Sequence, residues 1–183
     1  MNPSDLFIGV RIRLTALTKA DIPTITSWYQ NSALMRLFAS VPARPKSEEQ
    51  IAQWLSETEK ETGTLTFAIR PLYSDELMGY LQLDGINYRN GHCGIALILA
   101  PDYQDKGYGT EATQLGLRYA FNELALHKVI ITNFSYNARA IALAEKLGFQ
   151  RDGVFRDHLL RGGQRHDMYL YSLLRHEWEA IQK

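Results

Sequence analysis

The sequence predicts an α/β (α+β) fold in which one sheet of about seven strands is flanked by helices. Three observations carry that expectation. Strand-like runs, some alternating and some wholly apolar, recur from residue 10 to residue 174. Segments with apolar residues at helical spacing fill the intervals between them. No internal repeat, low-complexity tract or linker interrupts the series, so residues 1–183 read as a single domain.

The elements follow in order. Over residues 10–17, Val10, Ile12, Leu14 and Ala16 fall on one side and Arg11, Arg13 and Thr15 on the other, the pattern of a half-buried strand. Asp21 offers a cap to the next helix. Pro23 sits in its first turn, where a missing N–H is tolerated, and Ile22, Ile25, Trp28 and Tyr29 recur at helical spacing. That spacing makes the aromatic residues packing groups first and substrate-stacking groups second. Ser47 and Gln50 form a capping box for a second helix, with Ile51, Trp54, Leu55 and Thr58 on one face. Between the two helices, SVPARPKS reads as an irregular loop.

Residues 64–70 and 77–83 suggest an antiparallel hairpin around Pro71 and the polar SDE. Asn90-Gly91 turns the chain into residues 94–100, GIALILA, whose lack of a polar face predicts a central strand covered on both sides. Pro101 ends it. Tyr108, Ala112, Leu115 and Tyr119 then mark one face of a helix reaching Leu124, and KVIITNF is another buried strand. Asn137 caps a short helix with Ala140, Ile141, Ala144 and Leu147 inside, and Gly148 stops it. Two strands around Gly162-Gly163 and a terminal helix complete the chain.

Composition narrows the class. Apolar residues at 45% and charged residues at 22% are ordinary for globular proteins and exclude a disordered or collagen-like chain. Lys plus Arg and Asp plus Glu both number 20, so no bulk field draws the molecule to nucleic acid or to an anionic membrane, and neither partner is expected. A single cysteine, Cys93, can form no intrachain disulfide and no thiolate cluster, which fits a reducing compartment and makes cytoplasm the expected location. As a lone buried thiol it reads as packing rather than as a nucleophile. The opening MNPSDLFIGVRIRL lacks a signal-peptide core, and no run approaches the roughly 18 apolar residues of a membrane helix. His92, His127, His158, His166 and His176 lack zinc spacing, so no metal is expected.

The stretch QDKGYGTEA, residues 104–112, raises a chemical question. Glycine inside a helix costs roughly 0.5–1 kcal/mol against alanine, yet Gly107 and Gly109 flank a helix start. A buried strand followed by such a loop and a helix can hold a phosphate, because the first helical turn presents unpaired N–H groups at the positive end of the dipole. Tight strand-to-helix packing would also use small residues. The stretch is not a Walker loop, lacking Lys and Ser or Thr after the second glycine, and it lacks the third glycine of the dinucleotide fingerprint.

Gln104, Gly107 and Gly109 match the Gln or Arg, two residues, Gly, one residue, Gly or Ala signature, and Asn137 opens a helix ending in EKLGF, residues 145–149. On these motifs the chain resembles the GNAT N-acetyltransferase superfamily over nearly its whole length. GYGTEA and the ending RDHLLRGGQRHDMYLYSLLRHEW are most similar to its RimJ/RimL branch. The resemblance implies a GNAT fold with a mixed, mostly antiparallel sheet and a single N-acetyltransferase domain. It implies acetyl-CoA as co-substrate, with Gln104 among the cofactor-binding residues and the backbone amides of Asp105, Lys106, Gly107, Tyr108, Gly109 and Thr110 at the pyrophosphate. It also implies that Leu97, Ile98 and Leu99 give backbone groups to the pantetheine and thioester, that the Asn137 side chain binds the pantetheine arm, and that transfer to an amine is direct.

An alkyl amine with a pKa of about 10.4 is protonated at neutral pH and must lose a proton before it attacks a thioester, so a proton acceptor is required. Where many relatives carry a glutamate base, this chain has Cys93 and Gly94. Where they carry a tyrosine acid it has Ala144, and the alternative serine position is Ala140. Tyr136, beside the motif asparagine, and Glu111, Asp84 or His92 acting through water remain. Glu111 and Tyr136 are the pair carried forward as catalytic. Asp157, Asp167 and Glu111 are either recognition groups for a cationic acceptor or solvated charges.

The leading expectation is therefore acetyl transfer to a primary amine, on a protein N-terminus or a small molecule. A noncatalytic acyl-CoA-binding or sensing domain is the alternative, and the absent lysine after Gly109 argues against a P-loop nucleotide enzyme. The C-terminal hairpin offers an edge on which a homodimer could form.

Overall fold

The computed structural model describes residues 5–182. Seven strands form one sheet in the order β1-β2-β3-β4-β5-β7-β6. They are β1 (Ile12–Thr15), β2 (Leu65–Pro71), β3 (Gly79–Asn87), β4 (His92–Leu99), β5 (Lys128–Phe134), β6 (Gln150–Arg161) and β7 (Gln164–Leu174). Every neighbouring pair is antiparallel except β4 and β5. The sheet is thus mixed and mostly antiparallel, as expected.

Helices cover both faces. On one, α1 (Ile22–Tyr29), α2 (Ser32–Phe38) and α3 (Glu48–Thr58) bury Ile25, Trp28, Met35 and Ile51 against Ala68, Tyr80 and Ile98. Trp28, Phe38 and Trp54 surround the Tyr80 ring at centroid distances of 5.4–6.2 Å, so the first two tryptophans are packing groups. On the other face, α4 (Tyr108–Arg118) and α5 (Ala138–Lys146) bury Ala112, Leu115 and Ala144 against Leu81, Leu83, Ile95 and Val129. The terminal α6 (Arg175–Ile181) adds Trp178 to the same core.

Local chemistry explains most boundaries. The Ser47–Gln50 capping box forms at α3, with Ser47 N donating to Gln50 Oε1 at 3.0 Å and Gln50 N to Ser47 Oγ at 3.4 Å. Gly148 takes φ +86° after α5, the left-handed stop that glycine permits.

Four sequence readings change. The first strand is shorter than residues 10–17, because the Val10 and Arg11 amides bond a carboxylate on α4 instead of a neighbouring strand. Helix α2 adds an element that the sequence reading does not contain; Asn31 starts it, its Oδ1 accepting from Leu34 N at 3.1 Å, and Leu34 and Met35 bury its inner side. The Asp21 carboxylate does not cap α1. It accepts from Thr18 N and from Arg70 in a pair that is 7% and 6% exposed. Finally, the helix beginning at Tyr108 ends as α-helix at Arg118 and continues to Glu123 as a π-helical turn.

Candidate active site

Strands β4 and β5 pair through His92↔Lys128, Cys93↔Val129 and Gly94↔Ile130 and then part. Beyond Gly94, β4 remains bonded to β3 while β5 remains bonded to β7. The wedge between them opens a cleft of ≈ 870 Å³ that reaches from α2 on one face to α4 and α5 on the other. The apolar run 94–100 is therefore not covered on both sides as expected; Gly94, Ala96 and Leu97 form a wall of the cleft.

Which backbone groups face the gap follows from the ladder. Residues of an antiparallel strand point their N–H and C=O alternately to either side. Ala100 N donates to Met78 O at 2.9 Å, so Ala96 and Ile98 turn toward β3, and Ile95, Leu97 and Leu99 turn toward the gap. Ile98 thus departs from the expectation: its carbonyl lies over Gly79 and its side chain is buried beneath α1–α3. Leu99 O accepts from Gln104 Nε2 at 2.9 Å, which fixes the loop after β4 and makes Gln104 a positioning residue. Leu97 is left with both backbone groups aimed into the wedge.

The glycine loop sits at the mouth. Asp105 and Gly107 take φ +58° and +83°, and no protein acceptor among the described residues meets the amides of residues 105–110. Successive amides in such a conformation, at a helix start lacking a side-chain cap, form an anion-binding concavity. Gly107 is needed for its backbone angle. Gly109 answers the packing question: a Cβ there would stand 3.2 Å from Leu143 and 3.3 Å from Leu97, so its small size lets α4 approach α5 and β4. Asp105, Gly107, Gly109 and Thr110 line the cleft, whereas Lys106 and Tyr108 do not; Tyr108 lies under the Arg11 guanidinium at 4.7 Å. Arg139 pairs with Asp105 at 2.9 Å across the mouth, and Lys146 lines it from α5.

The two expected catalytic residues lie outside the cleft. Glu111 Oε1 accepts from Val10 N at 2.6 Å, Arg11 N at 2.8 Å and Ile12 N at 3.3 Å, while Oε2 pairs with Arg11 Nε at 3.0 Å. This carboxylate ties the start of β1 to α4 and has no free side for an amine. Tyr136 Oη donates to Arg36 O at 2.7 Å, and its ring borders a separate hollow with Arg161 and His166. Asn137 does line the cleft, but Oδ1 caps Ala140 N at 3.2 Å and Nδ2 donates to Leu37 O at 3.2 Å, holding α5 against α2. Half of its hydrogen-bonding capacity remains for a ligand. His92, Asp157 and Asp167 line no part of the cleft.

Asp84 is on its floor. It pairs across the sheet with Gly94, where β4 and β5 part, and shares a face with Gln82 and Ala96. A Cβ at residue 94 would lie 2.0 Å from Asp84 Oδ1, so the carboxylate rests over the glycine. The site is open to solvent through the cleft, yet the protein around it raises the carboxyl above the usual aspartate range, offset in part by its own backbone amide. The sequence hint was Gly94 itself, a residue with no side chain where a base was sought.

This fold, a sheet parted at one parallel pair beside an uncapped glycine loop, is that of an acyl-CoA-dependent acetyltransferase. The acetyltransferase (GNAT) domain family matches residues 11–150, and the chain belongs to that family, whose members are enzymes with acetyl-CoA as co-substrate. YdaF of Bacillus subtilis, which bears the provisional name of a ribosomal N-acetyltransferase, is 36% identical over 109 residues, a match spanning 60% of either chain. The spermidine N(1)-acetyltransferase of Escherichia coli K12 is 24% identical over 172 residues, 94% of this chain and 90% of that one. The crystal structure of a spermidine N-acetyltransferase from Vibrio cholerae, in complex with CoA and spermine, superposes with a TM-score of 0.84 at 23% identity, covering 92% and 98% of the two chains. Among the described residues no helix is long and apolar enough to cross a membrane.

Proposed function

We propose that residues 1–183 act as a single N-acetyltransferase domain that moves the acetyl group of acetyl-CoA directly to a primary amine, on a protein N-terminus or a small molecule. One observation carries this reading: the wedge between β4 and β5 joins the free amides at the start of α4 to an open surface beneath α2. The pyrophosphate would sit on the amides of residues 105–110, with Arg139 and Lys146 near its charge. The pantetheine would follow the wedge, where an extended chain can use the backbone groups of Leu97 as a strand would. The Leu97 N–H would then stabilise the oxyanion formed on attack, and collapse would expel a thiolate that is a good leaving group at an intrinsic pKa near roughly 8.5.

The acceptor would enter from the α2 side. There the lining is apolar, with Leu34, Leu37, Phe38 and Val41, and its polar groups on the sheet are Gln82 and Asp84. A lone amine on an apolar body suits this wall better than a polyamine, whose second charge would meet no carboxylate there. The names of the relatives point both ways, to ribosomal N-acetylation and to spermidine. The lone cysteine supports a cytoplasmic setting. The outer strand β6, with Val154, Phe155 and Leu160 exposed, would be the edge for a second copy, and a monomer at high concentration in ultracentrifugation would remove that partner.

The test is amine-dependent thiol release from acetyl-CoA, run on peptides with free N-termini, simple alkyl amines and spermidine. Release with monoamines or peptides exceeding that with spermidine supports the reading. Calorimetric binding of acetyl-CoA without release for any amine would instead leave an acyl-CoA-binding domain.

A further inference from the structure

We infer that Asp84 is the catalytic base, accepting the proton of the incoming ammonium from β3 where the strand position beside it, Gly94, carries no side chain. The inference rests on the acetyl-transfer reading above and deepens it.

Three requirements select this carboxylate. First, a base must reach the amine while the amine reaches the thioester. Asp84 lies opposite Gly94, the last residue of β4 paired to β5, so it stands at the apex of the wedge. The parity of the pairs Tyr80↔Ile98, Gln82↔Ala96 and Asp84↔Gly94 puts it on the α1–α3 face, since Tyr80 and Ile98 pack in that core. The pyrophosphate loop belongs to α4 on the opposite face. Acceptor and cofactor would thus approach through opposite mouths of one opening, with Asp84 on the acceptor's side. Second, the base must have free lone pairs. No side chain among the described residues donates to Asp84, in contrast with the fully engaged Glu111. Third, the carboxylate must have room. The Cβ of any residue other than glycine at position 94 would collide with Oδ1 at 2.0 Å, so glycine here and aspartate across the strand form one device.

The groups facing it are few. From β4, Cys93 points into the core of the opposite face, and burial first, then the Asp84 charge, pushes that thiol up to about 12. From α2 and from β5 the cleft residues are uncharged, and the ionisable groups Asp105, Arg139 and Lys146 stand on the cofactor loop and on α5. No cation is placed to hold Asp84 ionised against its surroundings, which brings its proton affinity closer to what a base working near neutrality requires.

The protons balance. Asp84 takes one from R–NH3+, leaving the nitrogen lone pair to form the C–N bond at the acetyl carbon. The tetrahedral intermediate then breaks its C–S bond, and the departing thiolate takes the second nitrogen proton to give the amide and the free thiol. Asp84 returns its proton to water.

The experiment measures kcat/KM against pH for the native chain, D84N, D84E and G94A, with acetyl-CoA affinity followed by calorimetry. D84N is expected to lose about 10²–10⁴ in kcat/KM at neutral pH, the range for general acid–base catalysis. That deficit should shrink as pH rises toward the pKa of the amine, where the free base is present without help. D84E should restore part of the rate. G94A, which displaces the carboxylate, should impair the native chain yet add nothing to D84N. All variants should bind acetyl-CoA as the native chain does, which also reports that they fold. A D84N profile parallel to the native one at every pH, or additive losses in the double variant, would overturn the role of Asp84 while leaving acetyl transfer intact. Absence of amine-dependent release from the native chain would instead overturn the function itself.

Discussion

Replacing Glu111 separates structure from catalysis in this site. Its carboxylate is 13% exposed and holds three backbone amides and one guanidinium. In Glu111→Ala, the Val10 and Arg11 amides can turn to water, so each bond is worth about 1 kcal/mol net. Ile12 is fully buried, and its amide would be stranded at a further cost of about 1–2 kcal/mol. The ion pair to Arg11, whose side chain is 47% exposed, adds little. The sum is about 3–4 kcal/mol, or about 6–16 °C in Tm for a chain of this length. Glu111→Gln keeps one carbonyl oxygen for the amides and should lose about half as much. Urea unfolding followed by circular dichroism gives the stabilities, and thiol release gives the pH profile of kcat/KM. Both variants should lose stability substantially with the shape of that profile unchanged. A Glu111→Gln protein of native stability that has lost its pH dependence would refute it and return Glu111 to the chemistry.

Three further outcomes are expected. Tyr136→Phe removes a bond to Arg36 O rather than a catalytic acid, so it should cost about 1 kcal/mol of stability and leave kcat within about tenfold, not the 10²–10⁴ that loss of an acid brings. The Cys93 thiol, pushed up to about 12 mainly by burial, should resist a disulfide reagent at pH 8 until the chain is unfolded. Because the folded state holds that proton longer than the unfolded chain, stability should fall as pH rises from about 8.5 toward 12, a slope that Cys93→Ala removes. Asp84 is also raised in the folded state, so ionising it opposes folding as pH climbs through and just above the ordinary aspartate range. Asp84→Asn should therefore be the more stable protein at neutral pH and lose that advantage in acid, as paired unfolding curves at the two pH values would show.

The sheet was legible because its signals are local and periodic. Residues 64–70 and 77–83 did form a hairpin, now β2 and β3, and the Ser47 capping box closed as read. What escaped was set by distant partners. Asp21 has the form of a helix cap, but Arg70, 49 positions away, competes for its carboxylate and wins through burial. Helix α2 is only seven residues long, too short for a periodic pattern, and depends on Asn31 at its start and on packing against Tyr80. Gln104, Gly107 and Gly109 located the loop, yet only the three-dimensional neighbours show that Gly107 serves a backbone angle and Gly109 serves packing. Glu111 and Tyr136 were selected because they sit beside motif residues in sequence. Glu111 lies one position, a helical rotation of 100°, beyond the cleft-lining Thr110, whereas Tyr136 lies in the turn before Asn137, where its hydroxyl donates to Arg36 O outside the cleft.

The two-residue period of a strand brings Asp84 in. Alternation by two gives each strand residue a face, and pairing gives it a partner, so a carboxylate lost from one strand can be replaced from the next at the paired position on the same face. Position 94 lies on the acceptor face at the apex of the wedge. An aspartate on β3 is a short side chain reaching across one inter-strand spacing, about 4.8 Å, over a residue that leaves the space empty. The catalytic position is thus defined by the sheet geometry rather than by a sequence position, which is why a linear motif reported it as missing.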